Sequence, residues 1–207
     1  MTNSPAPLPD LGPATRAVAA LLEGVDDSRF ADPTPCEDYR VADLLHHLMG
    51  LTLAFRDAAR KDLGPLTATD PASPDAPVPS LGPDWRERLR AQLTELAEAW
   101  RDPGAWEGET QAGGITLPGA IAGQVALNEV LLHGWDLARA TGQPYAADEA
   151  SAEVSIALLA ADADDAAREG TGFGRVVPVP DGASPLDRAV GLSGRHPGWA
   201  PPRRADA

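Results

Sequence analysis

The segment Leu127-Asn128-Glu129-Val130-Leu131-Leu132-His133-Gly134-Trp135-Asp136-Leu137 constrains this chain most, because it sets a carboxylate and an imidazole four residues apart in an otherwise apolar helix. Residues at i and i+4 share one helical face. An ionised Glu buried without a partner is strongly unfavourable, so the pair needs a counter-charge, a hydrogen-bond network or a metal ion. A divalent cation answers both side chains at once. Spacing alone also allows the two to bond simply to each other.

On a helical wheel, Glu129, His133 and Asp136 fall within about 60° of one another. The same line carries Ala122, Ala126 and Ala140, which leave room for an ion and a ligand. The neighbouring line of Val125, Asn128, Leu132 and Trp135 is bulkier and suits core packing. A helix apolar nearly all round belongs in the middle of a bundle.

A further metal ligand is best sought in His46-His47 on the second helix. His47 lies about 60° from Leu44 of the core stripe and His46 about 160° from it, so His47 is expected inside and His46 outside. Two His and one carboxylate from facing helices make a metal site with an open position. The donor set suits zinc first, with iron, nickel or manganese as alternatives. Asp43, one turn before His47, and Asp136, one turn after His133, are candidate acceptors for orienting an imidazole. Trp135 reads as a core or cap residue. Cys36 reads as a small buried side chain rather than a nucleophile, because no base need lie beside it.

At 207 residues the chain fits one domain, or one domain with a tail. A formal charge of -14 disfavours nucleic acid and anionic membrane surfaces. No stretch approaches the roughly 18 apolar residues of a membrane span. The proline-rich first 13 residues lack the basic start and apolar run of a signal peptide. One cysteine excludes an internal disulfide and suits a reducing compartment. A cytoplasmic protein, monomer or homodimer, with small-molecule partners is expected.

Helical periodicity dominates. Five main helices are expected: residues 11–24 after an Asp10 cap, 41–60, 84–100, 117 to just before Gly142 with Pro118 in the first turn, and 147–168 with an acidic end at Asp162, Asp164 and Asp165. The stretch 64–83, with six prolines, is expected to be a flexible or partly extended linker outside the core. Residues 101–116 read as irregular, with Trp106 in an ordered loop near a site. Residues 1–170 thus form a helical bundle. Residues 171–207 form a tail that packs on it and holds a short helix opened by Ser184-Pro185 and closed near Gly194. Gly172-Phe173-Gly174 has no preceding strand and no Walker-type lysine, so it gives little support to nucleotide binding.

Thr34-Pro35-Cys36-Glu37, Asp43-Leu44-Leu45-His46-His47-Leu48-Met49-Gly50, residues 129–142 and the tail over 172–199 resemble one family. It is the actinobacterial metal-binding family related to the N-terminal domain of mycothiol-dependent maleylpyruvate isomerase, within the DinB-like superfamily. The resemblance implies an all-α, DinB-like four-helix bundle with an extra C-terminal segment containing a short helix. It implies a divalent metal, Zn2+ first, held by His47, Glu129 and His133. Relatives use the metal to bind or activate a small thiol, mycothiol, for isomerisation or S-transfer. A cation beside a thiol stabilises the nucleophilic thiolate.

The function so implied is a thiol-dependent S-transferase or isomerase acting on a small electrophile, with mycothiol as cosubstrate. Metal-assisted hydrolysis and a non-catalytic metal- or ligand-binding role are the alternatives. The isomerase's separate C-terminal domain, which contributes to its active site, is expected to have no counterpart. Maleylpyruvate itself is therefore not implied as substrate, and Arg195 receives no role from the sequence.

Overall fold

The computed structural model describes residues 7–69, 73, 76–78, 80–161 and 174–202. The helices are α1 (Gly12–Leu21), α2 (Val41–Arg60), a one-turn α3 (Pro65–Ala68), α4 (Trp85–Ala99), α5 (Gly119–Thr141), α6 (Glu149–Ala161) and α7 (Pro185–Leu192). Strands β1 (Glu109–Ala112) and β2 (Ile115–Pro118) form an antiparallel hairpin. Helices α1, α2, α4 and α5 close a ring of four, in which α1 and α2 each pack against both α4 and α5. The expected all-α bundle is the fold observed, the hairpin being the sole sheet among the described residues, and no described helix is long and apolar enough to cross a membrane.

Each long helix buries the stripe its sequence carries. Leu44, Leu48, Leu51 and Phe55 of α2 meet Leu89, Leu93 and Leu96 of α4, with Val18 and Leu21 of α1, in one core. Each such side chain contributes about 1.5–3 kcal/mol by leaving water. Helix α2 starts where Asp43 accepts a hydrogen bond from the Arg40 amide at 3.0 Å, and it stops at Lys61, whose φ of 58° ends the helical run. Helix α5 stops at Gly142, whose φ of 71° lets its amide turn back to the Ala138 and Arg139 carbonyls.

Four expectations are corrected. The first helix is α-helical only to Leu21 and tightens into a 3-10 turn over Leu22–Gly24. The start of the proline-rich stretch is built in: Pro65–Ala68 is a helical turn, Thr67 is buried and its carbonyl accepts from the Gly114 amide at 2.9 Å. Residues 101–118 are a 3-10 turn at Pro103–Trp106 followed by the hairpin, whose two-residue turn Gly113-Gly114 has φ of 58° and 78°. Finally, β2 claims Pro118, so α5 begins at Gly119. The acidic end expected at Asp162, Asp164 and Asp165, and Gly172-Phe173, lie outside the described residues.

The tail packs as its own sequence dictates. Ser184 caps α7 by accepting from the Asp187 amide at 3.1 Å, and Gly194, with φ of 86°, turns the chain beyond it. Helix α7 lies on α6, and Val190, Leu186 and Trp199 close over Leu132 and Trp135 of α5. The Arg139 guanidinium donates to the Trp199 carbonyl, fixing the end of the tail against α5. Arg195 is thereby delivered to Asp136 of α5.

Candidate metal centre

Helices α2 and α5 run antiparallel, with Lys61 at the end of α2 beside Gly119 at the start of α5, and His47 opposite Glu129. Along this seam three side chains meet. The Oε2 atom of Glu129 lies 3.4 Å from His47 Nε2 and 3.2 Å from His133 Nε2, and the three ligand-type atoms are all within 4.8 Å of one another. The two imidazoles meet edge to face with ring centroids 4.8 Å apart. The side chains of Glu129, His47 and His133 are 23, 12 and 8 % exposed, so the cluster opens to solvent on the Glu129 side. Gly134 lets this part of α5 lie close to its neighbours, because a Cβ there would stand 2.5 Å from the Tyr145 hydroxyl and 2.6 Å from Val18.

Behind His133 stands a second layer. Asp136, fully buried, takes a hydrogen bond from His133 Nδ1 at 3.0 Å and two from Arg195, Nε to Oδ1 at 2.8 Å and Nη2 to Oδ2 at 2.9 Å. Asp136 therefore stands where an acceptor for His133 was expected. Asp43 does not do the same for His47. Its carboxylate folds back to the Arg40 amide at the exposed start of α2, and the atom beside His47 Nδ1 is the Tyr39 hydroxyl, at 3.3 Å. His46 belongs to no cluster of ligand-type side chains among the described residues.

Burial alone would raise the Glu129 pKa, but hydrogen bonds and charge from His133 and His47 overcome it and hold the carboxyl well below the usual range. Burial would lower His133, yet Asp136 and Glu129 push it up to about 9. Against burial, the Arg195 guanidinium and His133 keep Asp136 ionised, and Asp136 in turn raises Arg195. Cys36 is not remote from a base: its sulfur lies within 4.8 Å of ligand-type atoms of His133 and Asp136. Burial nevertheless outweighs Arg195 and pushes the thiol up to about 11, so it stays protonated at neutral pH.

The donor set fits a divalent ion. Asp136 accepts only, so His133 Nδ1 carries the hydrogen and a neutral ring presents a lone pair from Nε2 to a Glu129 oxygen. Two lone pairs facing at 3.2 Å require a proton or a cation between them. Ligands about 2.0–2.2 Å from a tetrahedral ion stand about 3.3–3.6 Å apart. The spacings of 3.2 and 3.4 Å match that edge to within about 0.1 Å.

Sequence reasoning missed Tyr39, the proximity of Cys36 and the place of Arg195. Tyr39 and Cys36 precede α2 on a loop whose Thr34 hydroxyl, buried, reaches the Cys36 and Tyr39 carbonyls at 2.9 and 2.8 Å. The residues Asp32-Pro33-Thr34-Pro35 carry turn chemistry, which does not give the direction in which the loop returns. For Arg195 the one available signal was an arginine directly after a turn glycine.

Comparison with known proteins gives a consistent picture. The family model described as the mycothiol maleylpyruvate isomerase N-terminal domain matches residues 11–138. Two uncharacterized proteins of Mycobacterium tuberculosis, from strains CDC 1551 / Oshkosh and H37Rv, are each 28 % identical over 183 residues, 88 % of this chain and 93 % of theirs. The crystal structure of the mycothiol-dependent maleylpyruvate isomerase is similar in fold, with a TM-score of 0.53 and 22 % identity. That match covers 72 % of this chain and 66 % of that one. The family match ends at residue 138, so Arg195 lies outside it.

Proposed function

From the premise that the chain belongs to the family of the mycothiol maleylpyruvate isomerase N-terminal domain, we propose that it is a metal-dependent, thiol-using transferase or isomerase of small electrophiles. His47, Glu129 and His133 hold one divalent ion, zinc first, and the thiol is mycothiol. The observation that carries this reading is the convergence of two imidazole nitrogens on one carboxylate oxygen, at 3.4 and 3.2 Å.

Bound there, the ion would favour the thiolate of a small thiol over its protonated form. The chain's own groups do the rest. Glu129 supplies the negative charge that offsets the cation. Asp136 fixes the His133 ring with its Nε2 toward Glu129, and Arg195 keeps that buried carboxylate ionised. Three protein ligands leave room in a zinc ion's usual set of four. Cys36, held protonated, does not compete with an incoming thiolate as nucleophile. The open side at Glu129 is the approach for small molecules, and the net charge of -14 argues against nucleic acid as partner.

The test is metal content followed by chemistry. The purified chain should hold close to one divalent ion by elemental analysis. With mycothiol and a generic electrophile it should form the S-conjugate by mass detection, and lose that activity on chelation. A chain that takes up no metal on reconstitution refutes the site, and metal without conjugate refutes the thiol chemistry.

A further inference from the structure

Resting on that reading of the metal centre, we propose that Tyr39 is the positioning residue for His47: its phenol oxygen accepts the His47 Nδ1 hydrogen and so fixes the tautomer whose Nε2 faces Glu129.

The argument starts from an asymmetry. Both histidines turn Nε2 toward Glu129 Oε2, so each must settle its Nδ1 on the outer side. For His133 the outer group is the Asp136 carboxylate at 3.0 Å, an obligatory acceptor. For His47 it is the Tyr39 phenol at 3.3 Å, a group that can accept or donate. A His47 that ligates through Nε2 needs the hydrogen on Nδ1, and the phenol oxygen is the acceptor the structure offers it. Asp43, on the same helix, is already engaged with the Arg40 amide.

The phenol is not there by accident of a loose loop. The Tyr39 carbonyl receives the buried Thr34 hydroxyl at 2.8 Å, its amide donates to the Cys36 carbonyl at 2.9 Å, and Pro33 pairs with Arg40 on either side. The Tyr39 ring lies against His47, centroids 5.0 Å apart and planes at 34°, and reaches His133 at 6.1 Å. Ring contact and hydrogen bond thus act on the same imidazole.

Tyr39→Phe keeps the ring and removes only the acceptor. Zinc affinity of the full chain, read by competition with a chromophoric chelator, should fall about 10–100-fold, the usual effect of losing a partner that orients a metal-bound His. The visible band of the Co2+-loaded variant should shift, while thermal unfolding of the metal-free chain stays at the wild-type temperature. Glu37→Gln, an exposed change on the same loop, should leave affinity and spectrum as they were.

A second measurement needs no variant. Long-range proton–nitrogen NMR of the zinc-loaded wild type should find His47 protonated at Nδ1, with that hydrogen slow to exchange. Equal zinc affinity of Tyr39→Phe and wild type, or a rapidly exchanging Nδ1 hydrogen, overturns the role of Tyr39 alone. A wild type that takes no zinc overturns the metal reading and this inference with it.

Discussion

At one end of the α2–α5 seam, Trp100 and Trp106 stack edge to face with centroids 5.0 Å apart, and each indole N–H is satisfied inside, by the Phe55 carbonyl at 3.1 Å and the Trp100 carbonyl at 2.8 Å. At the other end His47, Glu129 and His133 converge, and the carboxylate oxygen faces two nitrogens that need a proton or a cation between. One end is complete in itself. The other calls for a proton or, on the proposed function, a metal ion, which would give stability and binding to different stretches of the same two helices. That division can be tested from either side.

The largest effect should come from the apolar end. Trp100→Ala removes a fully buried indole and should lower unfolding free energy by about 3–5 kcal/mol in urea titrations. Metal content per folded chain should stay unchanged. A loss under about 1 kcal/mol would mean that the aromatic end is not the anchor.

Arg195→Ala comes next. It leaves the buried Asp136 carboxylate without its guanidinium and should cost about 3 kcal/mol, measured the same way on metal-free chain. Replacing both partners with apolar residues should recover most of that. If the double variant is as unstable as the single one, packing and not charge explains the loss.

Metal should then contribute a smaller, pH-dependent amount. Free zinc at about 100 times its dissociation constant stabilises by about 2.7 kcal/mol, an increment that His47→Ala and Glu129→Gln should largely abolish without unfolding the bundle. In the metal-free chain the His133 pKa of about 9 lies above its free value of 6.5. Its contribution is complete below pH 6.5 and is lost as pH rises through 9. Bound metal replaces that proton, so the zinc-dependent increment should grow over the same window. Thermal shifts with and without zinc from pH 6 to 9 decide the sign, and parallel curves would show that proton and metal do not compete.

The smallest effect is the sharpest discriminator. His46→Ala should change stability by under about 0.5 kcal/mol and leave metal content near wild type. Loss of metal in His46→Ala with retention in His47→Ala would reverse the ligand assignment.

The phase of α2 and α5 was legible because period 3.6 is a property of consecutive residues: Leu44, Leu48 and Phe55 marked the buried face, and with it which of two adjacent histidines meets Glu129. Asp43 misled for an equally local reason. A carboxylate three residues into a helix has two uses, and the Arg40 amide was nearer than the imidazole. Tyr39 and Arg195 were beyond reach, since their positions depend on how a loop and a tail fold back, which no periodicity encodes. The hairpin could have been read from Gly113-Gly114, a two-glycine turn followed by the β-branched Ile115-Thr116, had the overall helical pattern not dominated.

The contacts that build the candidate metal centre span the chain: His47 and Glu129 are 82 positions apart, Arg195 and Asp136 are 59. Contacts of such separation close late, because the entropy of a long loop must be met before they are rewarded. The Glu129–His133 and His133–Asp136 pairs, both within α5, are local enough to exist in an isolated helix. On the proposed function, a nascent or half-folded chain would therefore offer an ion two of the three proposed ligands at most, and tight metal capture would signal that α2 has closed on α5.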